Sequence, residues 1–167
     1  MTVLDNIMYV ACAGSSTIRL YNADTSSPLD AVIDVKGMIY PCDIVVCRDD
    51  RQLYVADLCI WRVSCDDHSY VKWLSTKSTT DAFLADTLSL TSRRLLVTSQ
   101  WSRRLRQYST TDRQLLRVVE LPQYVSGLYH GVETTRGTFL VCHQGTSQNQ
   151  WHRAVSELLS LGLRSGK

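Results

Sequence analysis

The chain has 167 residues and a mass of 18.9 kDa, which is long enough for one ordinary domain with a hydrophobic core. Its 44% hydrophobic and 20% charged residues exclude wholesale disorder, and a net charge of +2 does not by itself indicate nucleic-acid or membrane binding. No apolar run approaches the roughly 20 residues that a membrane helix needs.

The N-terminal apolar stretch is interrupted at Asp5 and Asn6, which argues against a signal peptide. We therefore expect a cytoplasmic protein that does not contact a membrane. In that reducing compartment the six cysteines are expected to be free thiols, several of them filling strand positions as small hydrophobic residues.

Four short strand-like segments recur along the chain, centred on Val10, Val55, Val97 and Val141, at spacings of 45, 42 and 44 residues. A period near 40–50 residues that contains only strand signals is typical of β-propeller blades. The sequence therefore predicts an all-β fold, a propeller-like array of about four four-stranded blades in one domain over residues 1–167. The blades are predicted at 1–38, 39–79, 80–122 and 123–167.

The first repeat opens inside a blade, because no inner strand is predicted before its first strand. Its predicted strands are 8–12, 17–21 and 31–35. The second repeat is the most complete, with strands at 42–47, 53–56, 60–65 and 70–74. Asp57 ends the second of these strands, and we expect it to cap backbone N–H groups in the turn that follows.

The third and fourth repeats follow the same order of strands. The third predicts strands at 85–90, 94–98, 105–108 and 115–120. The fourth predicts strands at 129–134, 139–142, 151–158 and 161–164. Over residues 154–161 a short helix is the alternative, and strand is favoured because the corresponding part of the other repeats is strand.

The second repeat resembles a blade of the NHL-repeat family of β-propellers. A blade of that family commonly has a proline and an inner strand, then a "YVAD" strand, then an "NHRI"-like strand. The residues of this chain that match the pattern are Pro41, Ile44, Tyr54, Val55, Ala56, Asp57, Arg62 and Val63. The other repeats depart from this pattern, since Cys12, Ser99 and His143 replace the aspartate, although Trp151-His152-Arg153 is similar to the family's "HR". The resemblance implies a propeller that usually closes with about six blades.

A chain with fewer blades leaves a sheet face uncovered at each end of the array, which monomers rarely tolerate. We therefore expect either a piece of a longer protein or an arc that completes itself by self-association. In the resembling family, such propellers are the substrate-recruiting part of tripartite-motif ubiquitin ligases. This chain contains no RING-type zinc pattern.

The default function is a non-enzymatic protein-interaction scaffold, because loops on a rigid β-scaffold collect recognition residues. Trp, Tyr and Arg dominate binding hot spots. The predicted partner-binding residues are Trp101, Arg103, Arg104, Tyr124 and Trp151. Trp61 and Trp73 are expected instead to pack between blades, and no cofactor is expected.

The alternative is binding of single-stranded RNA, which some NHL propellers perform. Arginines interleaved with an aromatic residue can hold phosphates while a base stacks. The candidate cluster spans residues 93–106. Its members are Arg93, Arg94 and Arg106, together with Trp101, Arg103 and Arg104.

Two further hypotheses concern metals. Zinc would need four convergent soft ligands, and the weak candidates are Cys42, Cys47, Cys59, Cys65 and His68, which lack a Cys-x-x-Cys pair. A metal-dependent hydrolase or lyase is the distant alternative, because some related propellers carry a central metal. His130 is the histidine placed to face a channel, but the convergent set that such a site needs is missing from the pattern.

Overall fold

The computed structural model describes residues 1–75, 77–78, 81–144 and 157–161. These residues form an all-β protein with seventeen strands and no α-helix. Within this part of the chain, no helix has the length and hydropathy needed to cross a membrane. The chain divides into two compact units, Met1–Leu88 and Ser89–Lys167.

The first unit contains two four-stranded antiparallel sheets whose strands are neighbours in chain order. The first sheet consists of β1 (Thr2–Leu4), β2 (Ile7–Ala11), β3 (Thr17–Asn22) and β4 (Pro28–Asp34). The second consists of β5 (Asp43–Cys47), β6 (Gln52–Asp57), β7 (Cys59–Ser64) and β8 (Tyr70–Leu74). A short hairpin follows, in which β9 (Lys77–Ser78) pairs with β10 (Asp81–Ala82).

The third sheet has the same order and begins just before the boundary between the units. It consists of β11 (Thr87–Thr91), β12 (Arg94–Thr98), β13 (Arg104–Ser109) and β14 (Leu115–Glu120). The fourth sheet consists of β15 (Ser126–Glu133), β16 (Phe139–Gln144) and β17 (Glu157–Leu161), three strands within the described residues.

Each unit is held together by face-to-face packing of its sheets. Alternate side chains of a strand point to opposite faces, so one face of each sheet supplies apolar residues to a shared core. The core of the first unit includes Tyr9, Ile18, Ile33, Val55, Trp61 and Val63. The core of the second unit includes Leu96, Leu105, Val119, Phe139 and Val141.

The sheet pattern confirms an all-β fold of successive antiparallel sheets, and the strands at 70–74, 94–98 and 115–120 have the predicted bounds. One prediction was wrong: the first repeat does have an opening strand, because Thr2–Leu4 pairs with Ile7–Ala11. This strand has only three residues, which is too few to show a periodic pattern in the sequence. The turn between β1 and β2 consists of Asp5 and Asn6, which both adopt positive φ angles, as in a tight hairpin.

Other strands differ from prediction mainly at their ends. The last strand of the first sheet begins at Pro28, and the first strand of the third sheet begins at Thr87. Glu157–Leu161 is a strand and not the alternative helix, but it runs through the break predicted between the strands at 151–158 and 161–164. The rest of the predicted final strands, residues 151–156 and 162–164, lies outside the described residues.

Gly131 of β15 lies where the fourth sheet approaches the third. A Cβ atom added there would be 3.2 Å from the Cγ2 of Thr98 and 3.4 Å from a Cδ2 of Leu105. The contact with Thr98 is tight, so an added side chain requires these neighbours to shift by a few tenths of an ångström. The glycine therefore favours close packing between the two sheets.

Replacing Gly131 with valine is expected to lower the free energy of unfolding by about 1–3 kcal/mol, through overpacking between the sheets. Gly131→Ala should give a smaller loss, because it adds one methyl group. Urea denaturation monitored by tryptophan fluorescence measures both. Equal stability of all three proteins would contradict the close approach described here.

Candidate functional site

Asp57 organises one end of the second sheet. It is buried at the end of β6, and its carboxylate accepts hydrogen bonds from the backbone N–H groups of Ile39 (3.0 Å) and Tyr40 (2.7 Å). The same carboxylate accepts the indole N–H of Trp61 at 3.1 Å. Asp57 therefore ties the connection between the first two sheets to the turn after β6.

The sequence predicted a capping role for Asp57, but the capped groups differ from those expected. The turn between β6 and β7 consists of Leu58 alone. The backbone N–H groups that donate hydrogen bonds to Asp57 lie 17 and 18 residues earlier in the chain. The side chains of Ile39, Tyr40 and Leu58 remain exposed around it. This end of the sheet thus presents apolar side chains from a backbone held by a buried carboxylate.

Asp57→Asn is expected to lower the free energy of unfolding by about 1–3 kcal/mol, because the amide leaves a buried N–H group without an acceptor. Equilibrium urea denaturation is the measurement. The matched control is the exposed Asp30, for which Asp30→Asn should change stability by less than about 0.5 kcal/mol. Equal effects at both positions would contradict the contacts of Asp57.

The third sheet presents a second surface at the end where β12 turns into β13. We call it the turn face, and it consists of Trp101, Arg103, Arg104 and Tyr124. Trp101 is 79% exposed and Tyr124 is 49% exposed, which is unusual for aromatic side chains. Both arginines are exposed as well. Four of the five predicted partner-binding residues thus lie in or next to the two connections at this end of the sheet, and Trp151 lies outside the described residues.

The backbone beneath the turn face is anchored. Leu121 donates a hydrogen bond from its N–H to the carbonyl of Arg103 at 2.8 Å, which joins the two connections that carry these residues. Within those connections, Ser102 N–H donates to the Ser99 carbonyl (3.1 Å) and Val125 N–H donates to the Pro122 carbonyl (3.0 Å). Ser99, Leu121 and Val125 are buried.

Charge at the turn face is partly neutralised. The Arg104 guanidinium donates to the Glu120 carboxylate at 2.6 Å, whereas Arg103 makes no ion pair with any residue that the structure describes. Arg103 is therefore the arginine of the turn face that has no ion pair among the described residues.

The predicted basic cluster is not one surface. Arg94 pairs in register with Ser109 and Thr98 pairs with Leu105, so Arg93 and Arg94 lie at the opposite end of the sheet from the turn face. Arg106 lies in the middle of β13 and is half-buried. The arginines between residues 93 and 106 are near in sequence but separated by the length of a strand.

Arg94 instead belongs to a buried charged network that sequence reasoning missed. The buried carboxylate of Glu133 accepts from Arg117 at 2.6 Å and from the Gln107 amide at 2.8 Å, and Arg94 lies 3.4 Å away. Arg117 also donates to the side-chain amide oxygen (Oε1) of Gln107 at 2.8 Å, and its guanidinium lies 4.5 Å from the centre of the Phe139 ring. These contacts indicate a structural role for the buried Glu133 and Gln107, whereas the side chains of Arg94 and Arg117 are partly exposed.

The candidate zinc ligands do not converge. Cys42 and Cys59 lie at the Asp57 end of the second sheet, whereas Cys47, Cys65 and His68 lie at the other end. All six cysteines of the chain are free, and Cys12, expected within a strand, is exposed just beyond β2. Burial raises the pKa of the thiols of Cys47 and Cys65, which are both buried. Across the described residues, no three His, Cys, Asp or Glu side chains form a metal-binding group.

Cys65 contacts Tyr9, a core residue of the first sheet. Burial, and then the neighbouring Cys65, raises the pKa of Tyr9 to about 12 from its ordinary value of 10. The unfolded chain therefore loses this proton at a lower pH than the folded chain does. The stability linked to Tyr9 is present below pH 10 and is lost as the pH rises from 10 to 12.

That alkaline loss should be on the order of 2–3 kcal/mol, because one pKa unit corresponds to about 1.4 kcal/mol. Tyr9→Phe should reduce it, because phenylalanine has no proton to lose, whereas Tyr129→Phe at an exposed position should leave it unchanged. Urea denaturation between pH 9 and pH 12 measures how steeply the free energy of unfolding falls with pH for each protein. Parallel curves for the wild type and Tyr9→Phe would contradict this assignment.

The histidines do not assemble a catalytic centre within the described residues. His143 is buried, and its Nδ1 lies 2.9 Å from the Gln144 carbonyl, to which it donates. His130 pairs in register with Cys142, on the face of the fourth sheet opposite to His143. His68 lies in an exposed turn, and His152 lies outside the described residues.

No family model and no curated protein matches the chain. By structure it is similar to Kuenenia stuttgartiensis hydrazine synthase, with 11% identity and a TM-score of 0.64 over 85% of this chain and 40% of that chain. It is also similar to the computationally designed Ika8 protein (13% identity, TM-score 0.56, 83% of this chain and 40% of that chain). A third similar structure is the designed Ika4 protein (13% identity, TM-score 0.61, 87% of this chain and 84% of that chain).

The chain thus spans about 40% of the length of hydrazine synthase and of Ika8. At these identities the likenesses show the fold alone. Together with the successive antiparallel sheets, they fit a propeller-like all-β fold.

Proposed function

We propose that this chain is part of an NHL-type β-propeller and acts as a non-enzymatic protein-interaction module. The observation that carries the proposal is the turn face, where an almost fully exposed Trp101 stands on a hydrogen-bonded turn. An anchored aromatic residue loses little conformational freedom on binding, which is why Trp and Tyr dominate binding hot spots.

The partner chemistry follows from the groups on the turn face. Trp101 and Tyr124 offer apolar area, and Arg103 offers a cation without an intramolecular ion pair among the described residues. A protein segment with an apolar side chain beside a carboxylate matches this set. In a longer protein of the resembling family, this role would be that of the substrate-recruiting part of a ubiquitin ligase.

Trp101→Ala is expected to weaken partner binding by about 30-fold or more, as for a hot-spot tryptophan. The wild-type chain and the variant are compared as baits in lysate, and the captured proteins are quantified by mass spectrometry. Leu115→Ala is the matched control, because Leu115 is exposed at 44% on β14, away from the turn face. Proteins lost with Trp101→Ala and retained with Leu115→Ala support the proposal.

Identical capture by the wild type and Trp101→Ala would overturn the proposal. RNA binding is separated by a fluorescence titration with a single-stranded uridine oligonucleotide over a salt series. Phosphate binding by several arginines would weaken steeply as salt rises. Because the structure divides the basic cluster between two ends of the sheet, we expect no salt-sensitive binding of this oligonucleotide.

A further inference from the structure

The second sheet carries a small polar cleft at the end where β7 turns into β8. The cleft has a volume of about 260 Å³. Strands β6, β7 and β8 and the turn between β7 and β8 supply its lining, which includes Gln52, Arg62, Ser64, Asp67, Ser69 and Val71. All of these residues belong to the first unit. The cleft therefore shares no residue with the turn face.

The register of the strands places the side chains of the cleft on one face of the sheet. Gln52 of β6 pairs with Ser64 of β7, and Arg62 of β7 pairs with Val71 of β8. Side chains of register partners point to the same face, as do those of residues two apart on one strand. Since Arg62 and Ser64 are two apart, the four side chains converge on the cleft from three adjacent strands.

The turn at the end of the cleft is fixed by hydrogen bonds. The Ser64 N–H donates to the Ser69 carbonyl at 2.8 Å, which closes the hairpin. Ser69 donates to Oδ1 of Asp67 from its N–H at 3.1 Å and from its hydroxyl at 2.8 Å. The Asp67 N–H in turn donates to the Ser64 Oγ at 3.4 Å. The Asp67 carboxylate is thus held in place relative to β7.

Asp67 supplies a negative charge to the cleft. Hydrogen bonds from the Ser64 side chain, and then from the side chain and N–H of Ser69, lower the pKa of Asp67 to about 2 from its ordinary value of 3.8. The carboxylate is therefore ionised at neutral pH. It is exposed to solvent, and its two oxygens offer about four lone-pair sites, so these donors leave it able to accept a further hydrogen bond.

Arg62 supplies a positive charge that is not paired within the described part of the chain. Its side chain is half-buried, yet it makes no hydrogen bond or ion pair with a described residue, Asp67 included. Arg51, Arg94 and Arg117 are also half-buried, and each of them lies within ion-pair distance of a carboxylate. A guanidinium that is partly withdrawn from water is stabilised by an acceptor, and a carboxylate binds it through two parallel hydrogen bonds.

The two charges define the chemistry of a ligand. In a cleft of this size, a ligand lies close to both Arg62 and Asp67. A simple anion is attracted by the first and repelled by the second, and a simple cation the reverse, whereas a zwitterion meets a favourable charge at each end. The volume is below the roughly 300–1,000 Å³ of pockets for drug-sized ligands, so the ligand is small. The side-chain amide of Gln52, which has no hydrogen bond to a described residue, can contact its polar atoms.

We propose that this cleft binds a free α-amino acid, whose carboxylate pairs with the Arg62 guanidinium and whose ammonium group donates to the Asp67 carboxylate. Both contacts are hydrogen bonds between ionised groups, which are the strong ones in proteins. This ligand differs from the protein segment proposed for the turn face, and the two sites have no residue in common. Either proposal can therefore fail without the other.

The test uses the ¹⁵N-labelled 167-residue chain. Its amide signals are followed by NMR while each standard L-amino acid is added to about 10 mM, which detects dissociation constants in the millimolar range. We expect at least one amino acid to shift the signals of Gln52 and of residues 62–71 in a saturable way, without shifting those of the turn face. Acetate and methylammonium, each carrying one of the two charges, should bind at least about tenfold more weakly.

Two variants separate the charges. Arg62→Gln should weaken binding of the amino acid and of acetate by at least about tenfold, because it removes the cation. Asp67→Asn keeps an acceptor for Ser69 but removes the anion, so it should weaken binding of the amino acid similarly and leave acetate binding at least as strong. Arg19→Gln and Asp30→Asn, at exposed positions of the first sheet, are the matched controls and should change neither. Circular dichroism and melting show that each variant is folded.

Three results would overturn the proposal. The first is the absence of a saturable shift with every amino acid. The second is unchanged binding of the amino acid by Arg62→Gln. The third is binding of acetate or inorganic phosphate as tightly as the amino acid, which would mean that the cleft is a site for anions alone.

Discussion

A β-sheet has two faces, and each apolar face has to be covered, which is the constraint on which the rest of this structure depends. In each unit, one sheet covers its neighbour through a shared apolar core. This packing explains why Val55 of β6 and Leu96 of β12 are apolar and buried. It also explains why Gly131 leaves little room for a side chain, and why the buried carboxylate of Glu133 is paired with Arg117.

Residues at the ends of the strands do not have to cover an apolar sheet face, and at these positions the repeats differ in residue type. The position two residues after each marker valine holds Cys12, Asp57, Ser99 or His143. Asp57 binds a distant backbone segment, Ser99 anchors its own turn through its carbonyl, and His143 bonds to an adjacent carbonyl. Each turn therefore has its own shape on a common framework. Such variation is how one scaffold presents different recognition surfaces.

The strands were predictable because the repeat of apolar segments is a local signal, readable within five or six residues. The opening strand, Thr2–Leu4, was not, since its pairing depends on β2 and not on its own pattern. The turn face could be predicted because Trp101, Arg103 and Arg104 occupy one turn. The prediction that the arginines between residues 93 and 106 form one basic surface was wrong, because Arg94 lies at the other end of β12 from the turn face. Glu133 and Arg117 are 16 residues apart and meet only through sheet packing, which no local pattern encodes.

The Glu133 network also has a consequence for how the sequence can change over time. Gln107, Arg117 and Glu133 come from three strands and hydrogen-bond with one another; Gln107 and Glu133 are buried, and Arg117 is half-buried. Loss of Arg117 removes the nearer cation from the buried Glu133 carboxylate, whereas replacement of a whole buried charged set by apolar residues of similar volume is tolerated in other proteins. A protein with only one of these residues replaced is therefore expected to be less stable than the protein with the full charged set or the protein with the full apolar set. These three positions are expected to vary together among homologues, as a case of epistasis imposed by the core.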